Sequence, residues 1–395
     1  MSEVCKYVPG VRKFMTRAEQ GESLTVVFFG GSLTWGANAS DPNLTSWRGR
    51  TMSMLKQRYP EAKWSFFDAA IGGTCSDLGV LRMEQDVFRH KPDLVFLDFT
   101  LNDGLDGDDQ MRQNTRNGSY ETIVRQCLAR DVIVMPVFLT SRSCVVAPDL
   151  SRLKRRLSHM EMCRYYNLDW ADVLGIMNAA YFRGELDVEP LWPKELFDTC
   201  HPCDDGYAAY TDAFCQEWQR IADSEPTDAE YKKEWFYPTC YRNVAAYIPE
   251  PDNIPDGWYW DLPYVMADTF DWLTSRHYAD VMVCGGAHTA VFSYEKTKPV
   301  PAEFTVTGEN IYITMEIVKQ TSFIEAEVDG ERKTIPFRPS MISSLQYQPV
   351  ALGLDPEKEH SLRIIVPELE GETPNVVRIT GVFVTASGPC RITRK

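Results

Sequence analysis

The chain has 395 residues, and its 41 lysines and arginines against 56 aspartates and glutamates give a net charge of −15. This acidity argues against binding to nucleic acid or to an anionic membrane surface, because both require basic patches. No stretch approaches the roughly 18 consecutive apolar residues of a membrane span. The hydrophobic content of 44% is enough for real cores, and the length favours two domains.

The cysteines and the N-terminal segment bear on the cellular compartment. Eleven cysteines are an odd number, and their spacing shows no disulfide framework. Residues 1–21 lack the apolar core of a signal peptide and instead predict a short amphipathic helix, Val11–Glu19. We therefore expect reduced thiols and a cytoplasmic protein.

The first half of the sequence alternates strand-like runs with helical patterns. The strand-like runs are short, apolar and rich in β-branched and aromatic residues, as buried strands are. Alternation of this kind predicts βαβ units and a parallel sheet. The predicted strands are residues 24–29, 64–68, 93–99, 131–139 and 168–173, and the clearest later helical patterns are 149–166 and 206–221.

A serine follows the first predicted strand, in the block Gly30-Gly31-Ser32-Leu33. Ser32 would stand at the carboxyl end of a parallel strand, where open α/β sheets place their ligands. The glycines let the backbone turn sharply and leave room for a substrate. The block favours a nucleophile at Ser32, with an ordinary helix N-cap as the alternative.

A later block, Asp198-Thr199-Cys200-His201, offers the base that a serine nucleophile needs. A hydroxyl attacks poorly until a neighbouring base takes its proton, and a carboxylate must hold the imidazole in the right tautomer. A short turn can bring Asp198 to His201, and none of the other five histidines has an aspartate three residues before it. The chain order Ser…Asp…His is one of the known triad orders.

The same block contains a C-x-x-C pattern formed by Cys200 and Cys203. As a zinc site it lacks a second pair of ligands at plausible spacing. As a redox motif it is misplaced, since it does not follow a first strand and open a helix. We interpret these cysteines as incidental thiols and expect neither a metal nor another cofactor.

Two further blocks could stabilise the negative charge that forms when an ester carbonyl is attacked. Gly72-Gly73-Thr74 lies beyond the second predicted strand, and Asn102-Asp103 lies beyond the third. The backbone N–H groups of Ser32 and Gly73 and the side-chain amide of Asn102 are the candidate oxyanion donors. Gly72 is a second candidate beside Gly73, and plain turns or a cap are the alternatives for each residue alone.

All four blocks, in this order, resemble those of the SGNH hydrolases, also called GDSL esterases. The resemblance assigns the nucleophile to Ser32, the oxyanion donors to Ser32, Gly73 and Asn102, and the remaining triad residues to Asp198 and His201. Two positions depart from the family pattern, namely Gly31 in place of aspartate and Thr100 in place of glycine. The resemblance covers about residues 20–222 and implies a flavodoxin-like three-layer α/β/α domain over residues 1–222, without metal or organic cofactor.

The second half of the sequence has a different pattern. Residues 223–280 carry charges, prolines and aromatics without a clear period and are interpreted as a linker or wrapping segment. Residues 281–395 contain short strand-like runs with turn signals between them, which favours an antiparallel β-sandwich. This part resembles the galactose-binding-like jelly rolls that accompany many carbohydrate-active enzymes.

The tryptophans are placed unevenly, since all ten lie at or before Trp272. Aromatic faces stack on sugar rings and bury their apolar C–H surface. Trp192, Trp258 and Trp260 are therefore candidate substrate contacts, near the proposed histidine or at the junction of the two predicted domains. The alternative is that they form a hydrophobic interface between the domains.

The whole chain resembles two-domain bacterial carbohydrate esterases of the mannan and xylan type. This implies a serine esterase that removes O-acetyl groups from plant-type oligosaccharides through an acyl-enzyme intermediate. The alternatives are a lysophospholipase or acyl thioesterase, a general short-chain esterase, and a carbohydrate-binding protein that has lost catalysis. The sugar, the position of the acetyl group and the oligomeric state stay open.

Overall fold

The computed structural model describes residues 6–104, 110–261, 281–290, 293–318, 321–337 and 345–395. The chain divides into two units, Met1–Pro238 and Thr239–Lys395. The segment 223–280, predicted as a linker, instead contributes a strand to the first unit and two strands to the second. Its irregular composition concealed these strands because they are only three to five residues long.

A four-stranded parallel sheet lies at the centre of the first unit, with strand order β3-β2-β4-β5. Strand β4 is buried throughout and β2 over most of its length, as expected for apolar strands covered on both faces. A further pair, β1 with β6, is antiparallel. The strands are β1 (Lys6–Pro9), β2 (Ser23–Gly30), β3 (Lys63–Asp68), β4 (Leu94–Asp98), β5 (Ile133–Pro136) and β6 (Asp228–Tyr231).

The predicted fifth strand, residues 168–173, forms only an isolated parallel bridge between Val137 and Ala171. The reason is local. The carboxylate of Asp172 accepts a hydrogen bond from the backbone N–H of Gly175 and so begins a helix directly after the bridge. The chain therefore turns away from the sheet before a ladder can form.

The three helical patterns predicted in the sequence correspond to helices of the first unit. The predicted helix Val11–Glu19 is observed with those bounds, whereas the pattern at 149–166 begins with a short 3₁₀ turn and becomes α-helical only at Lys154. The helices are α1 (Val11–Glu19), α2 (Ser32–Trp35), α3 (Trp47–Arg58), α4 (Ser76–Leu81), α5 (Met83–Asp86), α6 (Thr100–Asp103), α7 (Gln110–Ala129), α8 (Arg142–Val145), α9 (Lys154–Tyr165), α10 (Val173–Phe182) and α11 (Asp204–Ala222).

Aromatic side chains join the helices to both faces of the sheet. On one face, Phe28 lies 5.5 Å from Trp47 of α3, and Phe96 lies 5.4 Å from Phe214 of α11, measured between ring centroids. On the other face, Phe29 lies 5.1 Å from Phe99, whose ring packs against Gly79 of α4. Consecutive residues of a strand point to opposite faces, so β2 binds both helical layers. The first unit is a three-layer α/β/α domain.

The second unit consists of antiparallel sheets. One has the order β15-β14-β17-β12-β19, and another has the order β16-β13-β18-β9-β8 with β7 also paired to β18. Strands β10 and β11 form a separate hairpin. The strands are β7 (Asn243–Tyr247), β8 (Tyr259–Asp261), β9 (Val281–Cys284), β10 (Gly286–Ala290), β11 (Ser293–Lys296), β12 (Ala302–Thr307), β13 (Asn310–Glu316), β14 (Phe323–Val328), β15 (Glu331–Pro336), β16 (Leu345–Leu352), β17 (His360–Ile365), β18 (Val377–Ala386) and β19 (Arg391–Arg394).

The two larger sheets share one apolar core. Phe304 and Leu362 project into it from one sheet, and Ile313 and Val382 project from the other. On β12 buried and half-buried residues alternate, as expected for strands with one face on a core and one face toward solvent. The predicted β-sandwich is therefore present in the second half of the chain.

Candidate active site

Ser32 lies at the carboxyl edge of the parallel sheet, as its position after a buried strand predicts. Strand β2 ends at Gly30, and the backbone N–H of Gly31 donates to the carbonyl of Asp98 at the end of β4, at 3.2 Å. Ser32 then opens the single-turn helix α2, which ends at Gly36 with a left-handed φ of 100°. The nucleophile candidate is thus held between two neighbouring strand ends.

The structure brings Ser32, His201 and Asp198 together although the serine and histidine are 169 residues apart. His201 Nε2 lies 2.7 Å from Ser32 Oγ, and His201 Nδ1 lies 2.6 Å from Asp198 Oδ2. This is the geometry that lets an imidazole accept a hydroxyl proton while a carboxylate orients it. Ser32 is 5% exposed and is therefore largely shielded from solvent.

Both oxygens of Asp198 are hydrogen-bonded. Oδ1 accepts from the backbone N–H groups of Cys200 at 2.8 Å and His201 at 3.1 Å. Partial burial by itself would raise the pKa of Asp198, but the hydrogen bond and charge of His201 and the two backbone donors outweigh it and lower the pKa to about 2. Asp198 is therefore a carboxylate at every pH at which an esterase is assayed.

Asn38 is a residue at this site that the sequence patterns did not indicate. Its amide nitrogen donates to Asp198 Oδ2 and to the backbone carbonyl of His201, both at 3.1 Å. Its backbone has a left-handed φ of 67°, a conformation that asparagine tolerates better than most residues. Asn38 thus ties the carboxylate and the histidine to the loop that follows α2.

We expect Asn38→Ala to lower kcat about tenfold with little change in KM, because a hydrogen bond to a charged group is worth roughly 1.5–3 kcal/mol and only part of it bears on the transition state. Hydrolysis of nitrophenyl acetate measures this. Ser40→Ala is the control, because Ser40 anchors the same loop through Asp204 without touching Asp198. An equal loss in Ser40→Ala would assign the effect to the loop and contradict a role for the amide.

The loop that carries Asp198 and His201 is fixed on both sides. The carbonyl of Thr199 accepts from the backbone N–H of Arg142 at 2.9 Å, and the indole N–H of Trp192 donates to the carbonyl of Cys200 at 3.3 Å. Trp192 is only 2% exposed, which leaves neither ring face open to a sugar. The prediction that Trp192 contacts substrate is corrected on this ground, because the residue supports the loop from within the core.

The three candidate oxyanion donors stand at three adjacent strand ends. Asn102 lies in α6 after β4, and its amide group packs against Gly31, where a Cβ atom would come within 3.0 Å of the amide oxygen and 3.1 Å of its nitrogen. A side chain at position 31 would therefore require the Asn102 amide to shift by a few tenths of an ångström. The backbone N–H of Ile71 donates to the carbonyl of Gly30 at 3.0 Å and so brings the turn after β3 to the same edge.

That turn contains both glycine candidates. Gly73 is exposed and has a left-handed φ of 69°, whereas Gly72 is buried. Within the part of the chain that the structure describes, neither the Gly73 N–H nor the Asn102 amide nitrogen has a protein acceptor. Gly73 is the more accessible of the two glycine candidates, because Gly72 is buried.

Buried polar residues hold the Asn102 segment in place. Asp103 is fully buried, and its Oδ1 accepts from the backbone N–H of Ser76 at 2.9 Å, which ties the Asn102 helix to the segment after Gly73. Burial raises the pKa of Asp103 to about 7. Thr100 Oγ1 lies 2.9 Å from Nδ1 of the buried His159, whose ring stacks on Tyr120 at 3.7 Å. Of these residues, Asp103 and Thr100 were singled out in the sequence, whereas Ser76, His159 and Tyr120 were not.

The cysteines next to His201 are free thiols. Cys200 and Cys203 form no disulfide, and burial raises the pKa of Cys200 to about 12, so its thiol is protonated at neutral pH. Among the described residues, no cluster of three or more histidine, cysteine, aspartate or glutamate side chains could hold a metal ion. In the same residues no helix has the length and apolar character needed to cross a membrane.

A cavity of about 300 Å³ lies beside the Asn102 segment. It is bounded by Leu101 and Gly104 of that segment, by the loop that follows β5, and by the start of α9. Its lining combines apolar and polar side chains, the mixture that ligand sites show. The lining includes Leu101, Phe138, Leu139, Leu174, Ser141 and Ser143, together with the basic residues Arg152, Lys154, Arg155 and Arg156.

The other two tryptophan candidates lie in the second unit. Trp258 is 7% exposed within the sandwich core, and its indole N–H donates to the carbonyl of Val300 at 2.8 Å. Its predicted contact with substrate is corrected for the same reason as that of Trp192. Trp260 is half-buried on β8, so its ring is partly open to solvent and its role stays a prediction.

Comparison with known proteins agrees with this architecture. Residues 28–209 match the model of the GDSL-like Lipase/Acylhydrolase family. A crystal structure of a two-domain esterase (CEX) active on acetylated mannans matches with 19% identity and a TM-score of 0.65, covering 96% of this chain and 95% of the other. A structure of that esterase co-crystallized with mannopentaose matches with the same identity and TM-score over 95% of each chain.

A third solved structure covers only the first part of the chain. It is an acetylxylan esterase from Geobacillus stearothermophilus, with 17% identity and a TM-score of 0.42, covering 51% of this chain and 95% of the other. No curated protein sequence matches the chain.

These findings define the class of the protein. Residues 28–209 match the model of the GDSL-like lipase/acylhydrolase family, in agreement with the resemblance of the four sequence blocks. The fold of the whole chain is that of a two-domain esterase, with an α/β/α hydrolase domain followed by an antiparallel β-domain.

Proposed function

We propose that the protein is a serine carboxylic ester hydrolase that removes O-acetyl groups from plant-type oligosaccharides such as fragments of mannan or xylan. The observation that carries the proposal is the chain of short contacts from Ser32 Oγ through the His201 ring to Asp198. These contacts lie at the carboxyl edge of a parallel sheet, beside donors that no described protein group uses.

The geometry supports the following sequence of steps. His201 Nε2 takes the Ser32 hydroxyl proton as Oγ attacks the acetyl carbonyl carbon. The resulting oxyanion is held by the N–H groups of Ser32 and Gly73 and by the Asn102 amide. His201 then protonates the departing sugar oxygen as its bond to the acyl carbon breaks. A water molecule, deprotonated by His201, attacks the acetyl-serine ester and releases acetate, after which the proton returns to Ser32.

We expect Asn102→Ala to lower kcat about 10²- to 10³-fold with little change in KM, because an oxyanion donor acts on charge that develops in the transition state. Steady-state kinetics with nitrophenyl acetate test this. Asn102→Asp keeps the size of the side chain but replaces the donor with an acceptor, and it should be at least as impaired. Near-normal turnover in either variant would remove Asn102 from the oxyanion site.

The cavity of about 300 Å³ beside the Asn102 segment is large enough for one sugar ring of the substrate, and its lining includes Leu101 but none of Ser32, Asn102 and His201. Leu101, Phe138 and Leu139 offer apolar surface of the kind that packs against the C–H face of a pyranose ring, and Ser141 and Ser143 offer hydroxyls to its oxygens. The fold shared with an esterase active on acetylated mannans points to the same substrate class.

The apolar part of the same lining also favours a second candidate. Leu101, Phe138, Leu139 and Leu174 could accommodate the chain of a longer acyl ester, as in a lysophospholipase or acyl thioesterase. A general short-chain esterase would use the same reacting groups without a glycan. The two possibilities differ from the proposed function in substrate preference and not in mechanism.

Acetate release distinguishes these functions. The purified protein would be assayed on acetylated mannan, xylan and xyloglucan oligosaccharides, and on nitrophenyl acetate and octanoate. We expect kcat/KM to be greatest for one class of acetylated glycan. A preference for octanoate would support the lipid-type alternative, and cleavage of nitrophenyl acetate alone would support a general esterase.

A further inference from the structure

Phe197, the residue before Asp198, has an unusual position for a large apolar side chain. It is 97% exposed, more than any other large apolar side chain among the described residues. Its backbone is also in the left-handed region, with φ 52° and ψ 22°, which is costly for a bulky residue. A side chain that is both strained and unburied adds nothing to the core, and such positions concentrate at functional sites.

The surrounding turn holds Phe197 in this conformation. Its backbone N–H donates to the carbonyl of Lys194 at 3.1 Å and closes a short 3₁₀ turn. On its other side, Asp198 is fixed by His201 and by the backbone N–H of Cys200. The backbone conformation of Phe197 is therefore fixed before any substrate binds, and the residue is adjacent to Asp198.

We propose that Phe197 is the stacking platform for a pyranose ring of the oligosaccharide. This ring belongs to a different sugar unit of the glycan from the one that carries the acetyl group. An aromatic ring buries the apolar C–H face of a sugar, and a ring already open to solvent needs no rearrangement to do so. The exposed side chains of Lys194 and Glu195 in the same turn offer polar groups to the sugar hydroxyls. This inference rests on the proposed carbohydrate esterase function.

The surroundings of Phe197 favour a sugar over a second copy of the chain. A stable protein interface buries about 800 Å² on each partner, with a core depleted in charged residues. In this turn the neighbours of Phe197 are the exposed Lys194 and Glu195, and only Leu196, 38% exposed, extends the apolar surface. A single exposed ring with charged neighbours matches one sugar ring better than it matches a dimer contact.

Kinetics on substrates of different length test the proposal. The measured quantity is kcat/KM for acetylated mannopentaose or xylopentaose divided by kcat/KM for nitrophenyl acetate. Phe197→Ala should lower this ratio about five- to tenfold, through a higher KM for the oligosaccharide. Phe197→Trp should restore the ratio, because it keeps an aromatic face. Phe182→Ala is the matched control, since Phe182 is a 55% exposed phenylalanine at the end of α10, and its ratio should equal that of the unmodified protein.

Two results would overturn the inference while leaving the proposed function intact. One is an unchanged ratio in Phe197→Ala, in a protein that does cleave the acetylated oligosaccharides, and a change of oligomeric state by light scattering in that variant would then assign the ring to a contact between copies. The other is an equal loss in Phe182→Ala. Failure of the unmodified protein to release acetate from any glycan would instead contradict the proposed function.

Discussion

Ser32→Ala is expected to lower kcat for nitrophenyl acetate by about 10⁵- to 10⁶-fold, the size of loss seen when the nucleophile of a serine hydrolase is removed. Ser32 Oγ is the atom 2.7 Å from His201 Nε2, and alanine leaves no group to form the acyl-enzyme intermediate. Residual catalysis above the rate in water would come from the oxyanion donors and from binding alone.

The variant should keep its fold, because the Ser32 side chain has a hydrogen bond only to the His201 ring among the described contacts, and alanine fits the helix α2. Circular dichroism and thermal unfolding check this. Ser53→Ala is a suitable control, since Ser53 lies on α3 and its hydroxyl bonds only to the carbonyl of Gly49. Substantial turnover by a folded Ser32→Ala protein would show that another group is the nucleophile.

Asp198→Asn is expected to lower kcat about 10⁴-fold, because an amide in place of the carboxylate favours the wrong tautomer of the histidine. The carboxylate accepts hydrogen bonds from Asn38, Cys200 and His201. An asparagine has only one accepting oxygen, so its NH₂ group would face at least one of these donors. The loss should therefore appear in kcat, with the fold and KM largely preserved.

The pH dependence adds a second test of Asp198. Its pKa is lowered to about 2, so its charge is fully present above the ordinary carboxyl range and is lost only as the pH falls through about 2. The unmodified protein should accordingly stay far more active than Asp198→Asn throughout the range from about pH 5 to 9. Asp205→Asn, an exposed position in the first turn of α11, serves as the matched control. A ratio of kcat between the unmodified protein and Asp198→Asn that collapses toward one within this range would contradict a permanently charged Asp198.

Several features of the site could be predicted because they are local in sequence. Ser32, Gly73 and Asn102 each follow a short apolar run, and parallel strands place their carboxyl ends at the same edge of a sheet. Asp198 and His201 are three residues apart, so a single turn determines their approach. Helix α1 was predicted with the observed bounds because its apolar spacing and its glycine boundary are contained within a dozen residues.

Other features depend on contacts between distant residues. Asn38 reaches Asp198 across 160 positions, and nothing in the residues around Asn38 indicates this. The strands β6, β7 and β8 are too short to show a period, and they form only because partners from distant parts of the chain pair with them. Phe197 has no sequence signal because its exposure follows from the turn that precedes it.

The sequence by itself predicted a parallel sheet in the first unit, because strand-like and helical runs alternate there. The resemblance of its four blocks to the SGNH hydrolases implied the three layers and the residues that carry the proposed chemistry. Only the tertiary structure decided the roles of the aromatic residues, since Trp192 and Trp258 are buried while Phe197 is exposed. The physical reason is that an aromatic ring gains free energy either in a core or against a ligand, and the choice depends on what packs against it from distant parts of the chain.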